Sequence, residues 1–375
     1  MLTGLGVACP LGVGREAFWG AYLAPPAEPL SAPRVREGLV ATPAVCFPKD
    51  FPAERYTDRR AVRKASEVAR LAAAAGQLAL DAAALPDGLR AETCVVLGTA
   101  LGCSRYYLEF HEKLQRKGIK GANAVLFTES VFNAASAHVS RIHGLRGAAH
   151  TLAGGEDVGL AALAAGRDRL LLGAPAVLVG GAEQYADLVH ASLLHEGRVG
   201  RALGLGDAPV AFGEGAALAV FEAEPRGSEA PLRLTATART RAGRGTAEEA
   251  LVRALRAVCA AAGIEPAALD LLVSAGATRG EVDAHVLALA GLGASPRTCA
   301  PKALLGEGFA FGSAATLVLG AQALATQTLP PTHAAALPPS WRASPEPEAV
   351  PLRRALLLAQ SAHGSVSAAL LEVAG

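Results

Sequence analysis

Short apolar runs bounded by glycine alternate in this chain with alanine-rich stretches of helical period, and that rhythm constrains the fold more than any other feature. Runs of this length are too short for helices and too uniformly apolar for half-exposed strands, so they read as strands covered on both faces. Glu92–Gly98 (ETCVVLG) and Ala174–Gly181 (APAVLVGG) are of this kind, and Val210–Glu222 reads as a glycine turn leading into another. Between them, Arg63–Leu85 reads as a long amphipathic helix with Val68, Leu71, Ala75, Leu78 and Ala82 along one face. Pro25–Pro33 and Pro43–Pro52 are loops, and Pro225–Pro231 (PRGSEAP) marks an internal boundary. Beyond it come strand Leu232–Thr237, helix Ala247–Ala262, strand Leu269–Ser274, helix Ser313–Leu324, a proline-rich surface crossing at Pro330–Pro351 and a final strand Ala355–Gln360. The rhythm repeats, which predicts a layered α/β protein of two similar halves, 1–227 and 228–375.

Composition narrows the function classes. Charged residues are 18% of the 375, below the ~25% usual for globular proteins, and the net charge is +1. No basic block exists to hold a nucleic acid, and a chain 51% hydrophobic is not disordered. The opening Met1-Leu2-Thr3-Gly4 lacks a secretory pattern, and Leu170–Ala182 and Ala314–Leu329 are short or interrupted for a membrane span. Cys9, Cys46, Cys94, Cys103, Cys259 and Cys299 are scattered without a C-x-x-C pair, so neither a disulfide framework nor a metal site is expected. The expectation is a cytoplasmic protein whose apolar excess is covered by a partner.

Five segments in order carry a resemblance. They are Thr3–Trp19 (TGLGVACPLGVGREAFW), Val95–Gly102 (VVLGTALG), Asn133–Gly147 (NAASAHVSRIHGLRG), Val179–Gln184 (VGGAEQ) and Phe212–Glu222 (FGEGAALAVFE). Together they resemble the β-ketoacyl synthases of the thiolase superfamily, which implies the duplicated, five-layered α/β/α/β/α thiolase fold. The resemblance also implies a chemistry: a cysteine at a helix N-terminus takes an acyl group from a carrier protein. Two histidines stabilise the enolate formed on decarboxylation, and backbone amides bind the oxyanion.

This chain departs from that pattern at each position. After Gly144-Leu145-Arg146-Gly147 and the following strand, Glu156 stands where the cysteine belongs, with Gly159 opening the helix. Ala275 replaces the first histidine, and Glu307 the second in a run that keeps Lys302 and Gly306. The family's C-terminal glycine-rich gate has become Ser361-Ala362-His363-Gly364-Ser365. A carboxylate is a poor acyl acceptor, alanine donates nothing to an enolate, and no condensing activity is expected of the chain alone.

The resemblance then points to a chain-length factor, the inactive half of the heterodimeric ketosynthases of type II polyketide systems, with the aryl polyene or highly reducing type as a finer fit. It implies an obligate Cys-bearing ketosynthase α subunit, an acyl carrier protein met through the complex, no cofactor, and an elongation tunnel stopped by side-chain bulk. Candidates for the tunnel are Ser104, Tyr107, Leu108 and His111 at helical spacing, with Phe127 and Phe132. Candidates for pairing across the two-fold axis are Ala149, His150, Thr151 and Leu152 in the strand before Glu156. Two other functions are weighed. One is a malonyl-carrier-protein decarboxylase, which relatives perform with both histidines present. The other is a homodimeric thiolase-fold binding protein. Plainer readings make Gly154–Asp157 an ordinary helix start, His150 and His363 structural hydrogen-bonders, FGEG a tight turn and Arg59, Arg60, Arg63 and Lys64 a solvated face. A sharper one lets Glu156 accept the former oxyanion-hole amides and plug the pocket, with Glu307 held by a basic neighbour.

Overall fold

The computed structural model describes the chain apart from residues 34, 48–49, 225–231, 335 and 375. The expected boundary at 225–231, and with it the division at 227, lies outside the described residues. Strands β1 (Leu2–Cys9), β2 (Gly12–Val13), β3 (Cys94–Thr99), β4 (Ala149–Ala153), β5 (Ala176–Glu183) and β6 (Gly215–Glu222) form one sheet in the order β2-β1-β6-β5-β3-β4. Strands β7 (Leu232–Arg241), β8 (Leu271–Ser274) and β9 (Arg297–Cys299), then β12 (Arg354–Gln360) and β13 (Ser365–Val373), form the second, ordered β7-β13-β12-β8-β9. A two-stranded ribbon of β10 (Thr328–Leu329) and β11 (Glu348–Ala349) lies between β9 and β12 in sequence. Strand for strand, β1-β6-β5-β3-β4 matches β7-β13-β12-β8-β9, including two antiparallel junctions followed by two parallel ones. The repeated rhythm of the sequence is therefore a repeated topology.

Helices fill the layers between and outside the sheets. Helix Glu67–Ala83 covers the outer face of the first sheet and helix Ala247–Ala262 that of the second, while Val158–Leu171 and Phe309–Thr326 lie between them. Phe309–Thr326 is apolar and long enough to cross a membrane, yet it is almost wholly buried as the central helix of the core.

Three expectations need correction. The first outer helix begins at Glu67, because Ser66 has the extended backbone of an N-cap and Arg59–Val62 forms a separate turn. Its buried face runs through Ala75 and Ala79, leaving Leu78 half-buried and Ala82 exposed. The register is set by Gly4 and Gly6 of β1, where an added Cβ would stand 2.0 Å from the carbonyl oxygens of Ala79 and Ala75. Strand Arg354–Gln360 is not the last, since β13 follows it through a turn at 361–364. The proline-rich crossing is not all surface either: Trp341 is fully buried and donates from Nε1 to Asp283 at 2.6 Å.

Candidate functional site

Glycine brings the two central helices close enough to build one site from distant parts of the chain. A Cβ on Gly159 would lie 2.0 Å from the carbonyl oxygen of Ala310, and one on Gly181 of β5 2.3 Å from the same atom. The N-terminal ends of helices Val158–Leu171 and Phe309–Thr326 therefore touch, and the Gly159 amide donates to Ser313 Oγ at 3.1 Å. Glu156 stands just ahead of the first helix and Glu307 just ahead of the second, so this crossing brings together residues 151 positions apart.

Glu156 is buried. Its Oε1 accepts from Arg198 at 2.5 Å and its Oε2 from the Ala362 amide at 3.2 Å. Burial pushes its carboxyl up, but the Arg198 hydrogen bond, its own amide and the Lys302 charge outweigh that and hold it below the ordinary value. Glu307 is deeper. Lys302 Nζ donates to Oε2 at 2.7 Å and the Phe309 amide to Oε1 at 2.7 Å, with both side chains of the ion pair sealed from solvent. Burial raises the Glu307 carboxyl and Lys302 offsets part of the rise. Phe309 holds a left-handed backbone (φ 46°), a strain of about 1 kcal/mol or more for a non-glycine residue, and Arg198 lies over its ring at 5.6 Å. Ala275 is buried after β8 with its amide on Leu358. Beside it Ser274 Oγ contacts His285 Nδ1 at 2.8 Å. Burial, then the Lys302 charge, lowers that imidazole to about 4, so it is neutral at pH 7.

Glu183 and Glu214 had no assigned role in the sequence reading, although VGGAEQ and FGEG contain them. Glu183 accepts from Thr99 Oγ1 at 2.8 Å, from Leu101 N at 3.0 Å and from Ala100 N, so it fixes the turn after β3; burial raises it to about 8. Glu214 is more than part of a turn. It accepts from Phe47 N at 2.6 Å and Tyr185 N at 2.7 Å, and burial raises it to about 7. Arg198 lies in an irregular loop where no spacing marks it, and only the fold shows its pairing.

Glu156 and Glu307 are thus acceptors already engaged in ion pairs with Arg198 and Lys302. The six cysteines are all buried. Burial pushes the thiols of Cys9 and Cys46 up to about 12 and Cys103 up to about 11, and raises Cys259 and Cys299, which disfavours the reactive thiolate. Among the described residues no cluster of His, Cys, Asp and Glu could hold a metal.

The candidate tunnel residues lie apart from this cluster. Ser104, Tyr107, Leu108 and His111 share helix Ser104–Lys117, which buries none of its residues. The Tyr107 and His111 rings stand 4.3 Å apart, and Phe110 bridges to Phe127 at 5.7 Å. Tyr107 is 50% exposed, Phe127 57% and Phe132 49%, so the described chain presents an aromatic surface and not a closed tube. Ala149, His150, Thr151 and Leu152 form most of β4, whose outer edge has no neighbour in the sheet. The rings of His150 and His363, expected as structural hydrogen-bonders, make no hydrogen bond among the described residues, and both residues are exposed. Arg59, Arg60, Arg63 and Lys64 are solvated, as a plain helix face would be.

Comparison with known proteins agrees with this architecture. Residues 1–225 match the β-ketoacyl synthase N-terminal domain. The actinorhodin polyketide putative beta-ketoacyl synthase 2 of Streptomyces coelicolor is 28% identical, with 99% of this chain and 98% of that protein covered. Among solved structures, the ishigamide ketosynthase/chain length factor superposes with a TM-score of 0.88 at 21% identity, covering 100% of this chain and 98% of the other. AntDE:AntF, a type II polyketide acyl-carrier protein in complex with its ketosynthase bound to the hexaketide, gives 0.83 at 19% identity, covering 100% and 98%. The match over residues 1–225 decides the matter: the chain belongs to the β-ketoacyl synthase family, with a thiolase-type fold.

Proposed function

We propose that this chain is the non-condensing partner of a β-ketoacyl synthase heterodimer, a chain-length factor that shapes the space into which a polyketide or polyene grows. The observation that carries this reading is Glu156, at the helix start where the family's acyl acceptor stands, neutralised by Arg198 and the Ala362 amide. An occupied ion pair there leaves no thiol to acylate, and Ala275 and Glu307 supply no imidazole for an enolate. The curated relative and the ketosynthase/chain length factor structure support a heterodimeric polyketide setting.

On this reading residues 1–227 and 228–375 are the two ketosynthase-like halves, β4 lies antiparallel to its counterpart in a Cys-bearing α subunit, and the carrier protein reaches the chain through that complex. Ser104, Tyr107, Leu108, His111, Phe127 and Phe132 face the elongating product, and the aryl polyene class is the finer assignment. The isolated chain, incubated with a mass-tagged acyl-carrier protein, takes up no acyl group, whereas the coexpressed complex does so on the partner's cysteine. Acylation of the isolated chain refutes the reading, and carbon dioxide release from malonyl-carrier protein by the isolated chain favours the decarboxylase alternative. Within the complex, Tyr107→Ala lengthens the product read by mass spectrometry; an unchanged length removes Tyr107 from the tunnel.

A further inference from the structure

Beyond Glu156, on the inner face of the second sheet, lies a cleft of about 540 Å³ lined by Gly154, Arg239, Arg241, Ser361, His363 and Ser365. Its construction follows from strand alternation. Arg239 and Arg241 are two residues apart on β7 and project to one face about 7 Å apart, while Thr240 between them turns away and donates to the Ala250 carbonyl of the outer helix. Across the ladder Arg241 faces Ser365 and Arg239 faces Ser367. Both serine hydroxyls donate to fully buried Asp157, each at 2.7 Å, and Arg239 lies 3.6 Å from the same carboxylate. Asp157 is therefore satisfied by three partners. The Arg241 guanidinium makes no hydrogen bond or ion pair among the described residues, and His363 is exposed beside it.

We propose that this cleft binds a phosphate ester. Two guanidinium forks, one of them unpaired, can donate to several oxygens of one tetrahedral anion, whereas a carboxylate is satisfied by a single fork. The Ser361 hydroxyl adds a donor, and the N-terminal end of helix Val158–Leu171, behind Gly154–Gly155, adds favourable dipole. The carboxylates beside the cleft already have their charges met, Asp157 by two serines and Arg239, and Glu156 by Arg198 and the Ala362 amide. Such an ester could be a free phosphorylated metabolite or the phosphopantetheine arm of a carrier protein; the second source rests on the proposed function, the anion site does not.

Calorimetric titration of the full chain with inorganic phosphate and with 4′-phosphopantetheine tests the site. Saturable one-to-one binding is expected, weakened about tenfold by Arg241→Ala and further by the Arg239→Ala/Arg241→Ala pair. Arg241→Lys recovers only part of the loss, because the charge returns without the fork. Arg116→Ala, on an exposed helix elsewhere, changes nothing. Tighter binding of 4′-phosphopantetheine than of phosphate identifies the carrier arm, and equal binding identifies a free phosphate. Three results overturn the proposal: no saturation by either probe, binding indifferent to both arginines, or malonate binding as tightly as phosphate. Because Arg239 contacts Asp157, Arg241→Ala alone serves as the folding-neutral variant, its melting temperature matching the parent's.

Discussion

A buried carboxylate is tolerated only where something donates to it or opposes its charge, and Glu156 has both. Its carboxyl is held below the ordinary 4.5, so the unfolded chain binds that proton more tightly than the fold does. The stabilisation is complete above 4.5 and is lost as pH falls through the depressed value. Arg198→Ala leaves the carboxylate without its main partner and, since Arg198 is partly exposed, lowers stability by about 1–3 kcal/mol at pH 7, read from urea unfolding. Glu214 behaves in the opposite sense. Burial raises it to about 7, so the fold binds its proton more tightly, and its contribution to stability falls as pH rises from 4.5 to 7, by on the order of 3 kcal/mol. Carbon-detected NMR titration of labelled glutamates should show a carboxyl near 7, distinct from that of Glu183 near 8, which is absent from Glu214→Gln. At this scale the sequence was partly legible. The flanking motifs singled out Glu156, Ala275 and Glu307 as residues to examine, and a basic partner for Glu307 was foreseen and is Lys302. Arg198 could not be, because an ion pair between a helix start and an irregular loop leaves no periodicity.

At the scale of elements, contacts between backbones decide what can change. Gly159→Ala places a methyl against the Ala310 carbonyl, an atom that no side-chain rotation can move, so the central helices must separate; a loss of about 3 kcal/mol or more, or failure to fold, is expected in thermal unfolding. Helix Ser104–Lys117 presents the contrary case. It buries no residue, and polar ties hold it: Arg36 grips Asp187 with two nitrogens at 2.9 and 3.1 Å and also reaches Glu112 on the helix. Arg36→Ala should raise amide hydrogen exchange in residues 104–117 while leaving helix Phe309–Thr326 protected; unchanged exchange would show that the tie carries no weight. Strands and long helices were legible here because burial on both faces and helical period are local signals. The start of helix Glu67–Ala83 and its true buried face were not, since Gly4 and Gly6, more than sixty residues upstream, select which alanines meet the sheet.

At the scale of the molecule, the two sheets repeat one topology but differ at their margins. β2 has two residues and β9 three, too short to recruit a neighbour. The ten-residue margin at β7 carries Arg233, Arg239 and Arg241, charges that discourage another strand. β4 is bare, small and mostly neutral, with Ala149, Thr151, Leu152 and Ala153. Thr151→Pro removes a main-chain donor there and should abolish copurification with a coexpressed Cys-bearing subunit. Retained copurification would show that the pairing lies elsewhere. The edge position of β4 was foreseen only through the family resemblance, because a strand's place in its sheet depends on the whole fold order. Its consequence is one of valence. A subunit with one adhesive margin can join a single neighbour through it and is then saturated, so growth through this contact ends at two and builds neither ring nor fibre. On the proposed function, which two subunits meet is then a competition between self and paralogue for the same bond, decided by relative concentration and the side chains flanking five residues.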